Sequence, residues 1–300
     1  VQYADFAAWQ RRWLDSGVLA EGLEYWGHVL RGPLQPLQLP VDRPRPERPS
    51  LRGAHLRRQL PPELAAGLRT LSWRSGVTLF TTLLAGFVAL LFRRTRQDDI
   101  LVGTAVEGRG RAEVEGLIGL FVNMLALRTD VSGDPSFATL LQRVREVAAG
   151  AFSHQDVPLD RLVEHLRPGR ESAQSPLFQV AFGLDNVPAP PLDLPGLSAS
   201  RLELRRETSR FDLTLWMVEE GEGLSALWTY STDLFLEASI ARLHEQYEAL
   251  LAGALAAPEE RLGDLPLAAP RREAAGEDEW GFVPGLRARR RPVALAEEAG

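Results

Sequence analysis

The sequence predicts an α/β fold, a layered sandwich of helices on a mixed β-sheet. Three observations point to it. Segments with helical and strand periodicity alternate along most of the 300 residues. The run "VTLFTTLLAGFVALLF" (77–92) is apolar nearly all round, so its helix belongs inside a core. Strand-like segments then gather toward the end, two of them joined at Glu220–Gly223 as a hairpin.

The elements follow in order. Residues 3–30 carry Phe6, Trp9, Trp13 and Leu14, then Leu23, Trp26 and Leu30, at helical spacing, with a break near Ser16–Gly17. The prolines of 31–53 bar a continuous helix or a central strand, so this stretch reads as an extended crossover. "AHLRRQLP" (54–61) predicts a strand. A helix over 62–75 follows, with proline at its first turn and Gly76 after its end. The buried helix comes next (78–94), then a strand over 98–106 and a loop over 107–116. "GLIGLFVNMLALRTD" (116–130) predicts a strand from about 119 to 129. The helix after it is expected to have Asp134 as N-cap and Pro135 at its first position. Asp156 stands ahead of a short helix. "PLFQVAFGLD" (176–185) and "SASRLELRRE" (198–207) predict strands, and an amphipathic helix covers about 237–256. We divide the chain into 1–53, linking helices and crossover, 54–268, the main lobe, and 269–300, an irregular charged tail.

Composition excludes several chemistries. Cysteine is absent, so there is no disulfide framework, thiolate nucleophile or cysteine-bound metal. Lysine is also absent, which removes a Walker A, Schiff-base or kinase-type lysine. A net charge of −6 gives no reason to expect nucleic acid. The longest apolar run is shorter than the roughly 20 residues a membrane span needs, and residues 1–30 carry acidic groups unlike a signal peptide, so a cytoplasmic protein is expected. The chain begins at Val1, with Met124 and Met217 as its methionines, and reads as a fragment of a longer polypeptide.

Four collinear stretches resemble motifs of condensation domains from nonribosomal peptide synthetases. "YADFAAW" (3–9) resembles YxDFAxW. "IGLFVNMLALR" (118–128) resembles IGxFVNTxxxR. "HQDVPLD" (154–160) resembles HQDxPFE. "RESAQSPLFQV" (170–180) resembles RDxSRNPLFQV. The resemblance covers about residues 1–268. It implies a lobe like chloramphenicol acetyltransferase, a two-layer sandwich with helices on one face of the sheet. It also implies amide-bond formation between aminoacyl or peptidyl thioesters. Both thioesters hang on phosphopantetheine arms of donor and acceptor carrier domains, beside an adenylation domain, and the domain itself binds no cofactor. The family's HHxxxDG signature belongs to a first lobe. None of His28, His55, His154, His165 and His244 fits it, so the catalytic residue is expected elsewhere and this chain reads as the second lobe.

The candidate residues carry two readings each. Arg109, in "EGRGR", resembles a loop arginine that pairs with the signature aspartate, a role for which Arg111 is a competing candidate; alternatively Arg109 is a solvated loop residue. The same glycines form no phosphate-binding pattern. Asn123 bonds either locally or toward an interface. Tyr3, Asp5 and Trp9, like His154, Gln155 and Asp156, are expected to be structural, with Asp156 capping a helix. His154 and Asp156 lack a nucleophile partner and metal-ligand spacing. Ser175 stands where the family has an asparagine near its substrate tunnel, and Gln174 replaces an arginine, which weakens the expectation of acceptor-side function. The remaining alternative is a non-catalytic carrier-docking module or a gene remnant.

Overall fold

The computed structural model describes residues 1–166, 177–186 and 207–267. The expected strand at 198–207 lies almost wholly outside these, as do Ser175 and the tail. Six strands form one mixed sheet in the order β1-β6-β5-β4-β2-β3. They are β1 (Gly53–Gln59), β2 (Asp99–Val106), β3 (Asn123–Asp130), β4 (Val180–Asp185), β5 (Leu213–Glu220) and β6 (Gly223–Ser231). β4 runs parallel to both β2 and β5, and the other pairings are antiparallel.

Helices α3 (Pro62–Arg74), α4 (Leu79–Thr95), α6 (Phe137–Ser153) and α8 (Glu237–Ala256) cover one face. The alternation along β5 shows why. Leu213, Leu215 and Met217 are buried beneath the helices, while Thr214, Trp216 and Val218 on the other face are half-buried. The remaining helices are α1 (Tyr3–Trp13), α2 (Leu19–Val29), the single turn α5 (Ala112–Glu115) and α7 (Leu159–Leu166). The expected break between α1 and α2 is a wide helical turn with Gly17 at φ 111°, a conformation that costs glycine little.

α4 is the central helix. Its residues Thr81 through Leu91 are all buried, and each large apolar side chain among them contributes about 1.5–3 kcal/mol of transfer free energy. Thr78 caps it by accepting from the Thr81 amide, and Thr82 bonds the Ser72 hydroxyl at 2.7 Å, so its hydroxyls do not stay unpaired. Gly86 lets α8 approach: a Cβ there would stand 2.5 Å from Leu251. Phe87, Phe182, Trp228 and Tyr247 form an aromatic chain beneath it.

Three local expectations are corrected. The N-cap of α6 is Ser136, whose hydroxyl accepts from Thr139, not Asp134. Asp134 instead accepts from the Gly263 amide at 2.8 Å, a contact between segments far apart in sequence. β4 begins at Val180 rather than 176, because Leu177 and Phe178 pack before the ladder starts. β3 begins at Asn123 rather than about 119, because the residues before it are drawn toward α1.

The proline-rich crossover is also tied down. Asp42 accepts from the Leu236 amide and the Ser239 hydroxyl, both at 2.7 Å, and so caps α8 from a distant segment. Among the described residues, no single helix is long and apolar enough to cross a membrane.

His244, on α8, is 4% exposed. Its Nδ1 accepts from the Trp228 indole at 3.2 Å, so Nε2 carries the proton and faces Glu248 at 3.3 Å. Burial, with a smaller push from Arg58, brings its pKa down to about 4. The unfolded chain therefore binds a proton that the folded chain refuses between about pH 6.5 and 4. Stability should fall across that window as pH drops, by at most about 3 kcal/mol. Burial raises the Glu248 carboxyl, which works in the opposite direction. Urea unfolding at several pH values checks this: His244→Phe should flatten the acid-side loss.

Candidate functional site

A small second core stands apart from the main one. It is built from Phe6 on α1, Val114 on α5, and Phe121, with Trp9 and Leu117 packed against it. Phe6 and Phe121 have ring centroids 4.7 Å apart, and Tyr3 meets Phe121 edge-on at 5.2 Å. The Tyr3 hydroxyl donates to the Leu120 carbonyl at 2.8 Å. Its ring lies where a side chain at Gly119 would be, since a Cβ there would come within 2.2 Å. Gly108, at φ 65°, is closed over by the Phe121 carbonyl in the same way. Asp5 accepts from the Gln2 amide at the start of α1. Trp9 stacks on Trp13, and the Arg111 guanidinium lies 4.2 Å from the Trp9 ring.

Arg109 lies over Phe121, also at 4.2 Å. Its Nη1 donates to the carbonyls of Val114 (2.6 Å) and Glu115 (3.1 Å), closing the end of α5. Phe121 is thus held from several sides, and the backbone at 119–121 is committed to α1 rather than to a strand. That is why β3 starts only at Asn123, opposite Val106. The preceding loop turns Ile118, Leu120 and Val122 outward, 99%, 75% and 55% exposed. Their two-residue spacing is the signal in the sequence. Phe121, equally apolar on the other face, masks it.

Asn123 is satisfied locally. Its Nδ2 donates to the carbonyls of Gln155 (2.9 Å) and Val157 (2.7 Å), and its Oδ1 accepts from the Leu159 amide (3.1 Å). It therefore supplies the first bond at the start of α7, a role the sequence assigns to Asp156. Among the described residues Asp156 makes no hydrogen bond. Desolvation raises its carboxyl and the Arg111 charge opposes the rise. His154 is stacked on Tyr25 with centroids 3.8 Å apart, and its Nδ1 meets the Gly150 carbonyl at 2.8 Å. Its own carbonyl accepts from the Trp26 indole at 3.1 Å. Gln155 contributes its carbonyl to Asn123. Among the described residues no group of His, Asp and Glu side chains could hold a metal.

The structure thus joins three of the four motif stretches. Tyr3, Phe6 and Trp9 meet the 107–122 loop, and Asn123 meets the 155–159 turn. A family model described as "Condensation domain" matches residues 1–275. The chain belongs to the condensation-domain family. It is 48% identical over 282 residues to a linear gramicidin synthase polypeptide of Brevibacillus parabrevis, covering 93% of this chain and 6% of that protein. Among solved structures this condensation-domain chain resembles the X-domain from teicoplanin biosynthesis, with TM-score 0.82, 28% identity, and coverage of 89% of this chain and 62% of that one. It also resembles a four-domain nonribosomal peptide synthetase bound to AMP and glycine, with TM-score 0.76, 26% identity, and coverage of 84% and 20%. The chain therefore spans a small part of its curated relative and under two thirds of the X-domain.

Asn123→Ala would orphan two carbonyls and one amide at the α7 entry. We expect a loss of about 2–3 kcal/mol in urea unfolding. Asn123→Asp should be no better, since a carboxylate would face two carbonyls. Tyr3→Phe should cost about 1 kcal/mol through the Leu120 bond.

Proposed function

We propose that this chain is the C-terminal lobe of a condensation domain that makes amide bonds in a peptide synthetase. The family match over residues 1–275 carries the reading. In the reaction, the amine nitrogen of the acceptor attacks the thioester carbonyl of the donor. The C–N bond forms, the C–S bond breaks, and the proton lost by the amine ends on the departing thiolate, which leaves as the thiol. Phosphopantetheine arms on the two carrier domains deliver both acyl groups. A base that takes the amine proton is supplied by the HHxxxDG lobe, so this chain alone is inactive. Three of its five histidines, His55, His154 and His244, are spent on structural contacts.

The role of this lobe is support. Arg109 is fixed through Nη1, while its Nε and Nη2 hold no partner among the described residues and suit a carboxylate of the signature loop. In the sequence, Ser175 stands where the family has an asparagine, a departure that weakens the expectation of acceptor-side function. The first lobe, the carrier domains and an adenylation domain of the same synthetase are its partners.

A second reading is a non-catalytic recruitment module. Its support is a solved complex of the X-domain and OxyB from teicoplanin biosynthesis, whose X-domain superposes on this chain with TM-score 0.82 and 28% identity. One experiment separates the two. The polypeptide extended to include an HHxxxDG lobe is mixed with aminoacylated donor and acceptor carrier domains, and dipeptidyl carrier is read by mass spectrometry. Product from the extended protein, none from this chain, and a drop of about tenfold or more with Arg109→Ala support condensation. Carrier binding without product supports recruitment.

A further inference from the structure

We propose that Arg128 is a positioning residue for the condensation reaction: it fixes the pose of α2 on the sheet. This goes beyond the role of Arg109. It rests on the reading that a first lobe joins this one through α1 and α2, so that the pose of α2 bears on how the two lobes meet. Arg128 closes the motif stretch 118–128 and sits on β3, an edge strand of the sheet.

Its guanidinium works on two sides. Nε donates to Asp99 Oδ1 at 2.9 Å and Nη2 to Asp99 Oδ2 at 2.8 Å, a side-on fork on one carboxylate. Asp99 stands diagonally across on β2, two residues from Leu101, the partner of Arg128 in the ladder. Nη1 donates to the carbonyls of Val29 at 3.1 Å and Arg31 at 2.8 Å, at and just past the end of α2. The last carbonyls of a helix have no partner within it, and a cation there also meets the negative end of the helix dipole. Arg128 therefore caps α2 from the sheet, while Asp99 keeps the guanidinium plane in place.

α2 is thus mounted at two places. Near its middle the Trp26 indole donates to the His154 carbonyl, Tyr25 stacks on His154, and Gly22 lies against Val157 where a side chain would clash. At its end the tie is Arg128. One tie leaves a helix free to pivot, and two set its axis. Lysine would not serve. An ammonium is a point charge on a flexible stem; it reaches the carboxylate or the carbonyls, but it does not present a planar fork to both.

Spin labels test the mount, because this chain has no cysteine of its own. Glu24→Cys on α2 and Ala66→Cys on α3 place labels at exposed positions. With Arg128 present the label distance should be single and narrow. Arg128→Ala and Arg128→Lys should both broaden or shift it. In the protein extended to include the first lobe, both should lower kcat for dipeptide formation by about tenfold or more, with KM for the acceptor carrier unchanged, at a temperature where both remain folded. An unchanged label distance in Arg128→Ala overturns the proposal, even where the rate falls. So does full recovery by lysine, which reduces the role to charge alone. Altered distances with an undiminished kcat also overturn it, and leave the condensation reading intact. If the extended protein with Arg128 in place makes no dipeptide, the condensation reading falls, while a distance that changes with Arg128 still supports the mount.

Discussion

The amide of Asn123 ties the start of β3 to the turn that leads into α7. A primary amide offers two donors and an acceptor in one plane. Here the donors take the carbonyls of Gln155 and Val157, and the oxygen takes the Leu159 amide. The turn before α7 has no strand or helix of its own to satisfy these groups. Leucine at this site would leave all three unpaired, and each orphan costs about 1–3 kcal/mol when buried. Because Asn123 is also the first residue of β3, the start of the strand and the shape of the turn are set together.

On the other side of Asn123 the chain enters the small core. There the fit depends on missing side chains as much as on present ones. Gly119 makes room for the Tyr3 ring, and Gly108 for the Phe121 carbonyl. α1 reaches this core across Gly17, while α2 packs into the main core through Trp26 and Leu30. The motif residues that would attract a catalytic reading therefore form scaffolding. His154 stacks on Tyr25, Asp5 closes a helix start, and Asn123 ties a turn. What they hold in place is an exposed apolar edge and a half-committed arginine.

Much of the fold could be read from the sequence because its causes are local. α8 runs from Glu237 to Ala256, as periodicity predicts, and the hairpin turns between Glu220 and Gly223. α4 is buried along most of its length, as a helix apolar nearly all round must be. The failures share a different cause. Ser136 in place of Asp134, and Asn123 in place of Asp156, are choices made by partners far away in the chain. A strand pattern at 119–122 is overridden by Tyr3, more than a hundred residues earlier. Periodicity within a window cannot register such contacts. The motif resemblance singled out these stretches without saying what their residues touch.

The scaffolding role of Asn123 can be tested most directly at one backbone amide. Native-state hydrogen exchange of Leu159, compared between the wild-type chain and Asn123→Ala, isolates the bond its oxygen accepts. If Asn123 is the joint, Leu159 should exchange at least about tenfold faster in the variant, while amides in β5 and β6 keep their protection. Unchanged exchange at Leu159 would contradict it, and would mean that the α7 entry is held by something other than this amide.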